Sequence, residues 1–176
     1  MNASTHRQAA DQQQNPSSGP GVHSSLKVAR ILVPVDFSEC SKKALQYAIP
    51  MARQHQAVLI LLSVVEAAYG GGEMAVVDYI QLEAVMKEAA EKQLSEFVGK
   101  EIPSDISTQS IVRTGPPSRE ITELAKSLQV DLIVISTHGR TGLKHVFLGS
   151  VTEHVVQRAP CPVFVVRERE HEILVS

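Results

Sequence analysis

Apolar residues along the chain form short continuous runs, separated by longer segments with helical spacing. The runs lie at residues 31–35, 58–65, 106–112, 130–135 and 163–166, and each predicts a β-strand; the more polar third run is typical of a sheet edge. Between the runs, apolar residues recur every three or four positions, as at Ala44, Leu45, Ala48, Ile49 and Ala52. Strands that are apolar on both faces are typical of a parallel sheet with both faces covered. The alternation of strands and helices therefore predicts an open α/β parallel sheet with helices on both faces.

Local signals predict where the helices begin and end. Ser38 precedes the first helix as its N-cap, and Pro50 within that helix predicts a kink or an early end. Pro116 and Pro117 suit the start of the third helix. The long segment before Pro103 carries an apolar stripe that predicts packing on the core, made of Ile80, Leu82, Val85, Met86, Ala89, Leu94, Phe97 and Val98.

The length and composition predict one folded domain with polar ends. The chain has 176 residues, of which 43% are hydrophobic, enough for one core. Residues 1–25 are polar and contain no aromatic residue, so they have too little apolar surface to offset the entropy of ordering. We therefore expect a disordered tail over residues 1–25, a domain over 26–168 and a C-terminal extension over 169–176.

Charge and cysteine content narrow the possible partners. The formal net charge is -2, which gives no reason to expect nucleic acid or a membrane surface as a partner. Two separated cysteines, Cys40 and Cys161, form neither a disulfide framework nor a metal quartet. The first residues lack a basic start followed by an apolar stretch, and no apolar run is long enough to span a bilayer. A cytoplasmic protein is the expectation.

Two loops that follow strands carry unusual chemistry. Pro34-Val35-Asp36 ends the first apolar run, and residues 136–150 follow the fourth. Parallel sheets of this class bind ligands beyond the carboxyl ends of their strands. Gly149-Ser150 stands at a helix start, where unpaired N–H groups and the helix dipole favour an anion. The residues alone fit a phosphate site and a plain loop with glycine turns equally well. The alternation of strands and helices does not determine which strands are neighbours, so it does not show that the two loops face each other.

Four segments in this order resemble the universal stress protein family. They lie at residues 33–38, 131–142, 148–153 and 161–166, and the resemblance extends over roughly residues 27–167. It implies a five-stranded parallel sheet in the order 3-2-1-4-5, Rossmann-like and similar to the adenine nucleotide alpha hydrolases. It also implies a homodimer formed through the strand at 163–166, and a regulatory role in stress responses.

The resemblance implies an ATP site. ATP-binding members carry a glycine, two residues, a second glycine, nine residues, and then Gly-Ser or Gly-Thr. Gly139 and Gly149-Ser150 keep this spacing, whereas Ser136 replaces the first glycine, so we expect weakened rather than abolished binding. Asp36 would contact the adenosine, the Val64 backbone the adenine, and the start of the last helix the phosphates. The full set of binding residues implied is Pro34, Val35, Asp36, Val64, Ser136, His138, Gly139, Arg140, Gly142, Gly149, Ser150 and Val151.

Enzyme and metal functions find less support in the sequence. ATP pyrophosphatases of similar fold need a Ser-Gly-Gly-like loop after the first strand, and residues 36–39 contain no glycine. His138, His145 and His154 lack a recognised metal spacing, and Cys40 has no visible partner base. We therefore expect no catalytic residues, no metal ligands and at most weak ATP hydrolysis. The expected function is regulatory binding of ATP, with Mg²⁺; the alternative is a dimeric interaction protein of the same fold without nucleotide.

Overall fold

The computed structural model describes residues 27–66, 76–137 and 149–167. Its elements are, in chain order, β1 Arg30–Pro34, α1 Glu39–His55, β2 Val58–Val65, α2 Val76–Glu101, β3 Thr108–Thr114, α3 Pro117–Ser127, β4 Leu132–Ser136, α4 Ser150–Arg158 and β5 Val163–Val166. The expected tail at 1–25 and the extension at 169–176 lie outside the described residues.

The five strands form one parallel sheet. Their order is β3-β2-β1-β4-β5, which confirms the expected fold class and strand order. β1 lies at the centre, with Leu32 opposite Ile60 of β2 on one side and Ile133 of β4 on the other. The strand order therefore reverses at β1: β2 and β3 are added on one side of it, and β4 and β5 on the other.

The helices divide the core into two layers, one on each face of the sheet. Ile31 and Val33 of β1 join a buried cluster with residues of α1 and α2, whereas Leu32 joins a second cluster with residues of α3 and α4. Successive strand residues point to opposite faces, so a run that is apolar throughout supplies both layers. This arrangement confirms helices on both faces.

Helix α1 begins as expected but does not end early. Ser38 Oγ accepts a hydrogen bond from the Ser41 N–H at 3.2 Å, which confirms Ser38 as the N-cap. The helix continues through Pro50 to His55, so the predicted early end is wrong. Proline deprives the Gln46 carbonyl of its helical donor, but both residues are exposed, so water can hydrate that oxygen.

Helix α2 packs on the core over its second half only. Leu94 and Phe97 are buried, whereas Ile80, Leu82, Val85 and Met86 are between 39 and 63% exposed, and Ala89 is also exposed. The predicted core stripe is therefore wrong for its first five members. A helix of 26 residues is about 39 Å long, but the eight residues of β2 span only about 26 Å, so α2 extends beyond the sheet. Among the described residues, no helix is both long enough and apolar enough to cross a membrane.

Strand β3 lies two residues later than the apolar pattern indicates. It covers Thr108–Thr114 instead of 106–112, in register with β2 from Leu59 to Val65. Ile106 is buried but sits in a turn, where its N–H donates to the Pro103 carbonyl at 3.1 Å. The apolar character of Ile106 therefore reflects core packing ahead of the strand.

Asp131 joins the amino ends of β1 and β4, and its loss should destabilise the sheet. Its Oδ2 accepts hydrogen bonds from the backbone N–H groups of Ala29 at 2.8 Å and Arg30 at 2.9 Å. We expect Asp131→Ala to lower the free energy of unfolding by about 1–2 kcal/mol, because water can replace part of these bonds at the exposed sheet end. Urea unfolding measures this change. Asp105→Ala, which removes an exposed carboxylate paired with Arg53, is the control and should unfold almost like the wild type. Equal midpoints for all three proteins would contradict the prediction.

Candidate functional site

A crevice forms at the carboxyl ends of β1 and β4. The two strands are neighbours, with Ile31 opposite Leu132 and Leu32 opposite Ile133. The helix that follows β1 packs on one face of the sheet, and the helix that follows β4 packs on the other. The helices that follow the two strands therefore lie on opposite faces of the sheet, and sheets of this class bind ligands in the crevice at such a point.

The β1 side of the crevice presents a carboxylate held in one orientation. Pro34 ends β1, and the Val35 N–H still donates to the Leu62 carbonyl at 2.8 Å. Asp36 follows and is half-buried. Its Oδ1 accepts hydrogen bonds from the Ser38 backbone N–H at 3.1 Å and from Ser38 Oγ at 2.6 Å. The carboxylate is therefore folded back toward the start of α1.

Val64 turns its backbone toward the same crevice. Along β2, the even-numbered residues bond to β1: the Val58 N–H donates to the Ala29 carbonyl, and the Leu62 carbonyl accepts from Val35. Val64 is the next residue of this set, so its N–H and C=O point to the same side. Because β1 has already ended at Pro34, these groups face the space beyond the strand. A backbone donor and acceptor are thus available one strand away from Asp36.

The β4 side is built by close contact between the strand end and the start of α4. Ser136 ends β4 and is 9% exposed, and its carbonyl accepts a 2.7 Å hydrogen bond from Thr152 Oγ1. The Gly149 N–H donates to the Thr137 carbonyl at 2.9 Å. A Cβ on Gly149 would lie 2.7 Å from that same carbonyl oxygen, which is too close for a Cβ without a shift of the backbone. Only glycine at position 149 lets α4 dock this closely on β4.

The start of α4 is suited to hold an anion. Gly149 is its N-cap, and within the described residues no side chain caps the helix, in contrast to α1, which Ser38 caps. Ser150 is exposed and Val151 half-buried in the first turn. The N–H groups of this turn have no helical acceptors, and the helix dipole adds partial positive charge. His154 Nδ1 lies 2.7 Å from the Ser150 carbonyl, so that bond requires the proton on Nδ1.

The structure describes eight of the expected site residues, and all eight lie at the carboxyl ends of neighbouring strands or at the start of α4. Pro34, Val35 and Asp36 lie at the end of β1, with Val64 on β2 and Ser136, Gly149, Ser150 and Val151 around the end of β4. His138, Gly139, Arg140 and Gly142 lie outside the described residues.

Sequence reasoning missed Phe37, Thr137 and Thr152. Phe37 adopts a positive φ of 65° directly after Asp36, although the sequence places no glycine there. Thr137 and Thr152 are buried and join β4 to α4 through backbone oxygens. A threonine three residues after Gly149 was the only available signal for the last contact.

The described residues supply neither a reactive Cys161 thiol nor a metal cluster. Burial, with a smaller effect of the Asp131 charge, raises the pKa of the Cys161 thiol. A raised pKa keeps the thiol protonated and unreactive, which agrees with a small core residue. Residues 27–66, 76–137 and 149–167 contain no group of three or more side chains suited to a metal ion.

The chain belongs to the universal stress protein family, whose family model matches residues 27–167. Among curated relatives, Universal stress protein MJ0531 of Methanocaldococcus jannaschii is 32% identical over 143 residues, covering 81% of this chain and 84% of the relative. The family model and this relative therefore establish family membership.

Solved structures agree with this assignment. The universal stress protein UspA from Lactobacillus plantarum has 32% sequence identity and a TM-score of 0.67, and the match covers 81% of this chain and all of that one. MJ0577 of Methanocaldococcus jannaschii has 29% identity and a TM-score of 0.71 over 82% of this chain and 99% of its own.

Proposed function

We propose that this chain is a cytoplasmic, ATP-binding regulatory protein of the stress response, with a domain spanning residues 26–168 that forms homodimers. The observation that carries the proposal is the crevice between β1 and β4. It places the oriented carboxylate of Asp36 on one strand end and the start of α4, without a side-chain cap in the described residues, on its neighbour. Such a crevice offers one polar anchor for a nucleoside and one for its phosphates.

The described residues fit the two ends of an adenine nucleotide. Asp36 can accept hydrogen bonds from the adenosine, and the Val64 backbone offers a donor and an acceptor at the strand edge. The first turn of α4, with Gly149, Ser150 and Val151, supplies N–H groups for the phosphates, and the missing Cβ of Gly149 keeps that turn against β4. ATP would bring its own Mg²⁺, held by the phosphates.

Another protein of this fold has been solved with an adenine nucleotide. It is the universal stress protein from Archaeoglobus fulgidus in complex with dAMP, which shares 20% identity with this chain at a TM-score of 0.54. That likeness concerns the fold alone, so the argument for a nucleotide here rests on the chain's own residues at the crevice.

We expect Mg²⁺–ATP to bind more tightly than Mg²⁺–GTP. The Val64 N–H and C=O can match the acceptor and donor on adenine, whereas guanine presents an oxygen acceptor where adenine has its amino donor. A mismatched edge leaves buried polar groups unpaired, so GTP should bind at least about tenfold more weakly. Calorimetric titration with both nucleotides measures this. Equal affinities, or no heat with either nucleotide at millimolar concentration, would refute the proposal.

Asp36→Asn is the matched test of the nucleoside end. The amide keeps the size of Asp36 but removes its charge and half of its accepting capacity, so ATP should bind about tenfold more weakly. Asp105→Asn removes a carboxylate that is paired with Arg53 and lies before the start of β3, at the opposite end of the sheet. That control should bind ATP like the wild type.

A second function is favoured by Ser136. It stands where ATP-binding members have the first motif glycine, and its side chain is nearly buried at the end of β4. In this alternative the chain is a dimeric interaction protein without nucleotide. The nucleotide content of the purified protein after denaturation separates the two: adenine nucleotide near one per chain supports ATP binding, and its absence, with no heat on titration, supports the alternative.

A further inference from the structure

Phe37 has an unusual backbone conformation at the crevice. Its φ of 65° lies in the left-handed region, which a bulky side chain rarely adopts. Phe37 is placed between Asp36 and Ser38, whose side chains are joined across it by the 2.6 Å hydrogen bond from Ser38 Oγ to Asp36 Oδ1. The backbone turn at Phe37 therefore sets the distance over which Asp36 can reach Ser38. Such outliers persist only where surrounding contacts hold them.

The contact that holds Phe37 comes from α2. The rings of Phe37 and Phe97 meet edge to face, with centroids 5.5 Å apart and planes at 75°. Phe97 is 8% exposed and belongs to the core cluster beneath α1 and α2, against which Phe37 packs. Edge-to-face aromatic pairs attract each other beyond simple burial. A ring fixed in the core thus fixes the ring of a strained loop residue.

We propose that Phe97 is a positioning residue for nucleotide binding, which acts through Phe37 on the carboxylate of Asp36. This inference rests on the proposed ATP site. The Phe97 ring holds Phe37 at positive φ, and that turn brings Ser38 under Asp36, so the carboxylate keeps the orientation that a nucleoside requires. Phe97 itself stays in the core. Helix α2 thereby sets the affinity of a site between β1 and β4.

The test compares Phe97→Ala with a matched core variant. Ile106 is also 8% exposed and belongs to the same cluster, but it lies before the start of β3, at the opposite end of the sheet. Phe97→Ala should weaken ATP binding about tenfold, whereas Ile106→Ala should change affinity less than about twofold at a similar loss of thermal stability. Phe97→Leu, which keeps most of the buried volume, should also weaken binding and keeps the test valid if alanine prevents folding.

The Phe37→Gly variant tests whether Phe97 affects ATP binding through Phe37 or only through core packing. Glycine adopts positive φ without strain, so Phe37→Gly removes the need for the Phe97 ring. In the Phe37→Gly background, Phe97→Ala should cost less than about twofold in ATP affinity. An equal loss of affinity in both backgrounds would overturn the inference, because it would show that Phe97 acts without Phe37.

A measurement without nucleotide keeps this inference distinct from the proposed function. The Ser38 backbone N–H donates to Asp36 Oδ1 at 3.1 Å, so its hydrogen exchange reports on the turn directly. Phe97→Ala should speed exchange of this amide about tenfold, and Ile106→Ala should leave it nearly unchanged. If the wild type binds no ATP, the proposed function fails, while the Ser38 exchange rate still decides whether Phe97 holds the turn. An unchanged rate in Phe97→Ala would overturn the inference.

Discussion

We expect Gly149→Ala to lower both the stability of the protein and its affinity for ATP. The new Cβ would lie 2.7 Å from the Thr137 carbonyl oxygen, so α4 must move away from β4. Overpacking of this kind lowers the free energy of unfolding by about 1–3 kcal/mol. The same shift carries the first turn of α4 away from the phosphates and should weaken ATP binding at least about tenfold. Gly149→Val adds two methyl groups to the same contact and should have the larger effect.

Thermal melts and ATP titrations separate the two consequences. Gly149→Ala should melt about 3–9 °C below the wild type. Gly99→Ala is the control, because a Cβ at this α2 position meets nothing within 4 Å, and alanine favours helix. It should melt at or slightly above the wild-type temperature with unchanged ATP affinity. If Gly149→Ala melts like the wild type, the predicted clash with Thr137 is wrong. If the variant folds and binds ATP as tightly as the wild type, the phosphates bind elsewhere.

Val165→Pro should convert the proposed dimer to a monomer. The two sheet edges differ in chemistry: β5 carries Val163, Phe164, Val165 and Val166, whereas β3 begins with exposed Thr108, Gln109 and Ser110. An apolar edge strand with unpaired backbone groups favours pairing with a second copy of itself. The Pro162 carbonyl accepts from Ile133 of β4 and the Val166 carbonyl from Thr137 directly after it, so the backbone of Val165 points outward. Proline at this position removes a donor only from the open edge.

Light scattering at tens of micromolar protein measures this prediction. The wild type should have twice the mass of one chain, and Val165→Pro the mass of one. Ser110→Pro is the matched control: the Ser107 carbonyl accepts from Leu59, so Ser110 also points its N–H outward, but from β3. This variant should stay dimeric. A monomeric wild type would refute the dimer, and a dimeric Val165→Pro protein with native circular dichroism would place the interface away from β5.

The sequence predicts the positions of most strands and helices, because these depend on the local spacing of apolar residues and on helix caps. The apolar run at 58–65 became β2 without change, and Ser38 caps α1 as its position before the helix indicates. The order of the strands did not follow from alternation, because periodicity is a local property and strand neighbours are set over long distances. That order came from the family resemblance.

The details that sequence reasoning missed depend on contacts between distant segments. Phe37 adopts a positive φ because Phe97, sixty residues later in the chain, holds its ring. Ile80 and Val85 keep helical spacing but lie beyond the sheet, since the pattern gives a helix face and not the extent of its partner. The motif spacing gave Gly149 a role in phosphate binding, whereas the backbone contact with Thr137 gives it a second role in packing.

The central position of β1 has a consequence during protein synthesis. Arg30 and its partner Asp131 are 101 residues apart, so β1 leaves the ribosome long before β4 can cover its second edge. At a synthesis rate of about 5–20 residues per second, the apolar edge of β1 stays uncovered for roughly 5–20 s before β4 is made. Meanwhile β2, β3, α1 and α2 can form without β4. A nascent chain that stops before Leu132 therefore exposes a strand edge prone to association, and it has no crevice to which a ligand could bind.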